Sequence, residues 1–234
     1  MYNKITIVTC SRFNEFEKED FIKNVHSTCG VEHDLIFINN SEGKSLTSIY
    51  FENINKCQTD IIVFIHDDIE FMQNGWGLEL VKLFENNKEY GIIGIAGCSD
   101  FDNNACWWNS KNRYGQVAHK KDGMVWLSEF SPILSTDLEE VCVIDGLFMA
   151  IERTRITRNF DTDFIGFNHY DTSFCLDNYL DEECKIGVTT NIKVMHNSIG
   201  EVKLEWFKNK ELLINKFGEY LPITIKKNKY GKRT

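Results

Sequence analysis

Proline is scarce in this sequence, with 2 residues among 234, and glycine contributes only 15. These counts exclude a collagen-like or linker-rich chain, and the 13% aromatic content excludes intrinsic disorder. No run of 18 apolar residues is present, so no transmembrane helix is predicted. The chain opens on a strand pattern without the features of a signal peptide, and we therefore expect a cytoplasmic protein.

Positive charge is also limited, since 26 Lys and Arg residues stand against 35 Asp and Glu residues. An acidic body repels phosphate backbones, which argues against nucleic-acid binding. A phosphorylated ligand would need a divalent cation to screen that repulsion. The basic residues between Lys226 and Arg233 are either a solvated end or a weak peripheral contact with the anionic inner face of a membrane.

Paired cysteines are missing, because the eight Cys residues form no C-x-x-C motif and lie mostly in apolar segments. Buried thiols in a reducing compartment are favoured over disulfides or zinc. The length favours one domain, residues 1–234, which can bury a core without disulfides or a structural metal.

Apolar strands alternate with helical patterns in the first 100 residues. Strands are predicted at 4–9, 34–40 and 60–65, with helices through Phe16–Val25 and at Ser45–Cys57. Continuous apolar strands joined by helices indicate a mostly parallel sheet buried on both faces. Ligands of such sheets bind beyond the carboxyl ends of the strands. Three polar segments follow these strands: Ser11–Asn14, Asn39–Glu42 and His66–Asp68.

The rest of the chain is less regular, and the stretch from Asp100 to Asp122 shows no periodicity, so it is predicted to be irregular. Strands are predicted at Gly91–Ala96, around Asp145-Gly146 and before His196. Helices are predicted at Gly75–Phe84, Tyr170–Leu180 and Glu201–Phe217.

His66-Asp67-Asp68 ends the most apolar strand of the sequence. A carboxylate in such a place is costly unless a cation or hydrogen bonds compensate it. Mg²⁺ and Mn²⁺ prefer carboxylate oxygens together with ligand phosphates. The alternative is a strand-end turn whose Asp residues cap the next segment.

Each of the other candidate positions also has a structural alternative. His196 follows an apolar strand and is either hydrogen-bonded structure or a ligand. Asp171 opens a predicted helix and is either its N-cap or a general base. Trp107-Trp108 is either core or a surface on which a sugar stacks, and Asp145-Gly146 is either a bulge or a ligand contact.

Four segments taken together resemble the family-2-like glycosyltransferases of the GT-A fold, with most similarity to the StrF-domain-related subgroup. They occur in the family's order and approximate spacing, and the resemblance covers residues 4–200. The segments are Phe64–Asp68, Val143–Ala150, Gly166–Asp171 and Val194–His196.

The resemblance implies a Rossmann-like α/β domain with a mostly parallel central sheet flanked by helices. Residues 1–100 would form the nucleotide-binding half, 101–200 the acceptor half, and 201–234 a closing helix and basic tail. Asp68 and His196 would bind Mn²⁺ or Mg²⁺, and Asp171 would act as the base of an inverting reaction. Nucleotide-sugar contacts are expected at Ser11, Arg12, Asn14, Asn39, His66, Asp67, Asp145 and Gly146. Acceptor contacts are expected at Trp107, Trp108, His169 and Tyr170.

The predicted activity is transfer of a sugar from a UDP- or GDP-type donor to a glycan, lipid-linked or small-molecule acceptor. A sugar nucleotidyltransferase is one alternative, although Thr9–Arg12 lacks the Gly-rich basic loop expected of it. A catalytically silent binding module is the other. Asn39 and Ser173 keep it open, because they stand where carboxylates are common in the family.

Overall fold

The structure is a computed structural model that describes residues 2–130, 137–182, 184–200 and 202–225. Five helices are found in that part of the chain: α1 (Glu19–Thr28), α2 (Leu46–Lys56), α3 (Trp76–Asn86), α4 (Tyr170–Leu180) and α5 (Leu204–Phe217). Its strands are β1 (Lys4–Ser11), β2 (Glu32–Asn39), β3 (Ile61–His66), β4 (Ile69–Phe71), β5 (Tyr90–Gly94), β6 (Ala96–Cys98), β7 (Asp100–Phe101), β8 (Arg113–Lys121), β9 (Met124–Glu129), β10 (Glu139–Val141), β11 (Val143–Ile144), β12 (Phe148–Glu152), β13 (Lys185–Val188), β14 (Val194–His196) and β15 (Ile223–Thr224).

Seven strands form the main sheet, in the order β10-β13-β5-β12-β3-β1-β2. β1 pairs in parallel with both β2 and β3, and β5 pairs in parallel with β13. β12 lies antiparallel between β3 and β5, and β10 is antiparallel to β13. The sheet is therefore mixed rather than mostly parallel, although β1, β2 and β3 run parallel to one another as predicted. Residues 61–65 of β3 are fully buried, as their β-branched and aromatic side chains require.

A second sheet has the order β11-β6-β8-β14-β4, with β9 added on β8. Its edge strand β4 begins directly after Asp68 and pairs antiparallel with β14. In that register His196 lies opposite Ile69. Pairing of β4 with β14 therefore places the end of β14 beside the end of β3. One cluster of buried apolar side chains includes residues of both sheets.

The stretch predicted to be irregular, Asp100 to Asp122, contains more structure than its sequence indicated. It holds β7, a short 3-10 turn at Trp107–Asn109 and the nine-residue strand β8. β8 and β9 form a hairpin closed by Asp122 and Gly123, both with positive φ, as a type I′ turn requires. The prediction was wrong because β8 is polar and lies in a partly solvated sheet, so it lacks the apolar run of a doubly buried strand.

The predicted helices are present with small shifts at their ends. α4 has the predicted bounds, whereas α1 begins at Glu19, which leaves Phe16 outside the helix and 93% exposed. α5 begins at Leu204 rather than Glu201. The basic segment between Lys226 and Arg233 lies outside the described residues. Among the residues that are described, none of the helices combines the length and the hydropathy that crossing a bilayer takes.

Candidate active site

The site lies where β3 and β14 end side by side. His66 is the last residue of β3, and Asp68 follows in the turn to β4. His196 is the last residue of β14, and the next backbone N–H, that of Asn197, donates to the Asp68 carbonyl over 2.8 Å. Pairing of β4 with β14 thus brings together two segments that are far apart in the sequence.

His66, Asp68 and His196 form a compact group of metal-ligating side chains. Asp68 Oδ1 lies 3.2 Å from His196 Nε2 and 4.0 Å from His66 Nδ1. One ligand atom of each residue lies within 4.8 Å of the others. A carboxylate and two imidazoles at this separation suit a divalent transition metal ion.

The state of the Asp68 carboxylate provides a test of whether a cation fits. Asp68 Oδ1 is buried, and within the described residues it accepts no hydrogen bond of good geometry, despite its proximity to His196. A buried carboxylate oxygen without a donor is costly, and a cation would compensate it. The residues present therefore fit a divalent metal ion.

Electrostatic effects keep this carboxylate ionised. Burial opposes ionisation of Asp68, but the nearby His196 and His66 outweigh it and hold its pKa well below the usual range. Burial also opposes the charged form of His66 and so lowers the pKa of His66. For His196 burial is overcome by Asp68, which raises the pKa of His196. The site thus offers one firm negative charge to a cation.

A cavity of about 580 Å³ opens beside this group. Five of the expected nucleotide-sugar and metal residues line it: Ser11, Arg12, His66, Asp67 and Asp68. His196, Asn14 and Asn39 do not. Asn14 is exposed and bonds to Glu17, and Asn39 accepts a hydrogen bond from the Ser41 backbone, whereas the neighbouring Asn40 lines the cavity.

Lys18 is a cavity residue that the sequence did not single out. Its ammonium lies 3.0 Å from Asp67 Oδ2 and donates to the Asp67 carbonyl over 3.1 Å. The Ser11 hydroxyl donates to the same carboxylate oxygen over 2.5 Å. In the sequence Lys18 stands among acidic residues and is typical of a solvated helix start, so no local pattern marks it.

Asp171 lies in the first turn of α4, but it is not the N-cap, a position that His169 occupies. Its Oδ2 accepts from the Gly146 backbone N–H over 2.8 Å, and its Oδ1 accepts from the Thr172 N–H over 2.7 Å. Burial and the charge of Asp145 raise the pKa of Asp171 to about 7, against the lowering effect of those N–H donors. A carboxyl group with this pKa exchanges protons near neutral pH, as a general base must.

Asp145 and Gly146 form the turn between β11 and β12 and do not line the cavity. Tyr170 was expected to contact the acceptor, yet it is buried, and its hydroxyl lies 2.8 Å from His66 Nε2. Its position is therefore behind the metal-ligating group rather than on an open surface.

Two of the expected acceptor residues, Trp108 and His169, lie beside Trp206, which the sequence analysis did not single out. Trp108 is 37% exposed, whereas Trp107 is buried. Trp206 of α5 lies 6.2 Å from Trp108 and 4.9 Å from His169, measured between ring centroids. Burial lowers the pKa of His169 to about 4, so its ring is uncharged at neutral pH. An amphipathic helix pattern predicts that Trp206 is buried but not what it contacts.

Helix α5 also holds the loop that leads into α4. Glu205 Oε1 accepts from the Phe167 backbone N–H over 2.9 Å. The buried Asn209 Nδ2 donates to the carbonyls of Ile165 and Asn168, both over 2.8 Å. The helix therefore fixes the backbone from which Asp171 projects.

Comparison with known proteins identifies the family and the fold. The sequence profile of the Glycosyltransferase like family matches residues 6–217. A crystal structure of GalNAc-T7 with UDP, GalNAc and Mn²⁺ superimposes with a TM-score of 0.55 and 9% identity, over 92% of this chain and 48% of that one. The mannosyltransferase PcManGT from Pyrobaculum calidifontis, in complex with GDP-Man and Mn²⁺, gives a TM-score of 0.53 and 10% identity, over 93% of this chain and 64% of that one. The chain spans less than two thirds of either protein, and no curated protein matches its sequence.

A profile match over most of the chain shows the family, while likeness at such low identity shows the fold alone. The StrF-related subgroup is not distinguished by these matches. The mixed sheet with flanking helices agrees with the GT-A structures. The protein is a glycosyltransferase of the GT-A fold and belongs to the glycosyltransferase-like family.

Proposed function

We propose that this glycosyltransferase uses Mn²⁺ or Mg²⁺, bound by Asp68 and His196 with His66, to hold a nucleotide-diphosphate sugar. The sugar would pass with inversion to a hydroxyl acceptor in glycan or polysaccharide biosynthesis. The observation that carries this proposal is the buried Asp68 Oδ1, which lacks a good hydrogen bond and lies 3.2 Å from His196 Nε2.

The donor would occupy the cavity that Ser11, Arg12 and Asp67 line. When bound, the cation supplies Lewis-acid stabilisation of the negative charge that develops on the leaving diphosphate. The similar solved structures hold UDP or GDP-mannose together with Mn²⁺, which supports a donor of the UDP or GDP type. Two imidazole ligands favour Mn²⁺ over Mg²⁺, because Mg²⁺ prefers oxygen ligands.

Asp171 would act as the general base. Its carboxylate takes the proton of the acceptor hydroxyl while that oxygen forms a bond to the anomeric carbon. The bond from the anomeric carbon to the diphosphate oxygen breaks, and its electron pair leaves with the nucleoside diphosphate. One base is enough for inversion, and the pKa of about 7 suits the role at neutral pH.

The acceptor would be a glycan, a lipid-linked sugar or a small molecule with a free hydroxyl. The exposed Trp108 ring, in contact with Trp206, offers an apolar face on which a sugar ring stacks. His169 beside Trp206 is uncharged at neutral pH, so the positive charge next to the Trp206 ring comes from Lys210, whose Nζ lies 5.6 Å from the ring centroid.

A thermal-shift panel of UDP- and GDP-sugars, each with and without Mn²⁺, tests the proposal. We expect one donor to raise the melting temperature only when Mn²⁺ is present, because binding to the native state stabilises it by about 2.7 kcal/mol at a hundredfold excess over Kd. Asp68→Asn should abolish this effect.

Asp60→Asn is the matched control, since Asp60 precedes the same strand β3 at its opposite end and is exposed. This variant should retain the metal-dependent shift. Stabilisation by a donor without metal, or equal stabilisation of the Asp68→Asn variant, would contradict the proposed site.

A further inference from the structure

We infer that Tyr170 is a positioning residue that selects which ring nitrogen His66 presents to the metal ion. This inference rests on the proposed function, since it assumes the cation site of His66, Asp68 and His196. It gives a role to the buried Tyr170 hydroxyl, which the expected contact with the acceptor does not explain.

The two nitrogens of the His66 ring have different neighbours. Nε2 lies 2.8 Å from the Tyr170 hydroxyl, and Nδ1 lies 4.0 Å from Asp68 Oδ1. The nitrogen on the side of the metal-ligating group is therefore Nδ1, while Nε2 is engaged by α4. No other partner of the His66 ring nitrogens is seen in the part of the chain that the structure describes.

The chemistry of imidazole makes this arrangement selective. A neutral ring carries one proton, and a nitrogen that binds a cation cannot carry it. Metal binding through Nδ1 therefore requires the proton on Nε2, where the Tyr170 oxygen accepts it. A hydroxyl also donates, so Tyr170 satisfies His66 before metal binding as well, and the selection comes from position, because Tyr170 occupies Nε2 and leaves Nδ1 for the cation. Partners of this kind fix the tautomer and the orientation of ligating histidines.

The packing around Tyr170 fixes its hydroxyl in place. A Cβ added at Gly146 would overlap the Tyr170 hydroxyl, so the backbone of the β11–β12 turn closes one side of it. On another side the Tyr50 ring packs edge-on, with 5.7 Å between ring centroids. Tyr170 itself is only 3% exposed. This accounts for glycine at position 146 through close approach rather than through its own φ.

The first experiment measures Mn²⁺ affinity of the full chain without any sugar donor, by electron paramagnetic resonance titration of free Mn²⁺. Tyr170→Phe keeps the ring and removes the hydroxyl, and we expect its Kd for Mn²⁺ to rise about 10–100-fold. Tyr179→Phe is the matched control, because Tyr179 is a buried tyrosine on the same helix outside the site. It should bind Mn²⁺ like the wild type.

The outcomes separate this inference from the proposed function. Equal Mn²⁺ affinity of the wild type and Tyr170→Phe overturns the positioning role and leaves the metal site standing. Failure of the wild type to bind Mn²⁺ overturns the proposed site itself. Equal weakening in Tyr170→Phe and Tyr179→Phe also overturns the positioning role, because it indicates a general effect on α4.

A second measurement observes His66 in the wild type and needs no change at Tyr170. Nitrogen NMR of the histidine rings, with Zn²⁺ as a diamagnetic ion and His66→Gln for assignment, should show His66 protonated at Nε2 and bound through Nδ1. Zn²⁺ bound with the proton on Nδ1 overturns the inference. Gly146→Ala should weaken Mn²⁺ binding as well, whereas Gly218→Ala, where a Cβ has room, should not.

Discussion

The backbone N–H of Gly146 donates a 2.8 Å hydrogen bond to Oδ2 of Asp171 and thereby ties the β11–β12 turn to the first turn of α4. This bond and the one from Thr172 stabilise the carboxylate, while burial and Asp145 oppose its charge. The opposing effects leave the pKa of Asp171 at about 7, well above that of an ordinary aspartate.

This raised pKa predicts the pH dependence of transfer. Below pH 7 Asp171 is protonated and cannot accept a proton, so kcat/KM should fall about tenfold for each pH unit below that value. Above pH 7 the carboxylate predominates and kcat/KM should level off. Initial rates from pH 5 to 9 at saturating Mn²⁺ measure this profile. A plateau that extends down to pH 5 would show that the base has an ordinary carboxylate pKa and is not Asp171.

Replacement of Asp171 by Asn should remove the base while leaving the donor in place. We expect kcat to fall about 10²–10⁴-fold, since general-base catalysis contributes that much. The Mn²⁺-dependent thermal shift with the donor should persist. Asp177→Asn, on the same helix but paired with Lys216, is the control and should retain its kcat. Loss of donor binding in Asp171→Asn would contradict separate base and metal roles.

Lys18 provides a third prediction, because it is the cation that neutralises Asp67 beside the expected diphosphate. Lys18→Met keeps the apolar stem and leaves the Asp67 charge uncompensated, so the KM for the donor should rise about tenfold, or about 1.4 kcal/mol. The kcat should change little. Lys23→Met is the control, since Lys23 is exposed on α1 and forms an exposed ion pair with Glu19 on that helix. An unchanged KM in Lys18→Met would exclude an electrostatic role for the pair.

The sequence predicted the parts of the fold whose patterns are local. The strands before Ser11 and His66 are continuous apolar runs, and α4 was predicted with its observed bounds. The hairpin of β8 and β9 was missed, although Asp122-Gly123 is the residue pair that a two-residue hairpin turn favours. The antiparallel insertion of β12 was missed too, because strand direction depends on connections and not on local composition.

For the site, local patterns indicated only residue types, and it was the family resemblance that implied a cation shared by Asp68 and His196. The adjacency of Asp68 and His196 depends on pairing of β4 with β14, a three-residue register that no local pattern encodes. Lys18 and Trp206 were missed because nothing local in the sequence distinguishes them from other residues of their type. A lysine at a site has the same sequence pattern as a solvated lysine, and a tryptophan at a site has the same pattern as any tryptophan on a helix face. Tyr170 was placed with the acceptor because its burial behind His66 follows from tertiary packing alone.

Asn209 provides the last prediction, through the loop that precedes Asp171. Its buried side-chain amide donates to the carbonyls of Ile165 and Asn168. Asn209→Ala leaves both oxygens without that donor, so the free energy of unfolding should fall by about 1–3 kcal/mol in urea denaturation.

Because the same loop sets the position of α4, the Asn209→Ala variant should also lose kcat while its Mn²⁺ affinity is retained. Asn215→Ala, at an exposed position of α5, should change neither quantity. If Asn209→Ala lost stability but kept a wild-type kcat, helix α5 would support the fold without fixing the base, and the orientation of Asp171 would have to come from its bonds to Gly146 and Thr172.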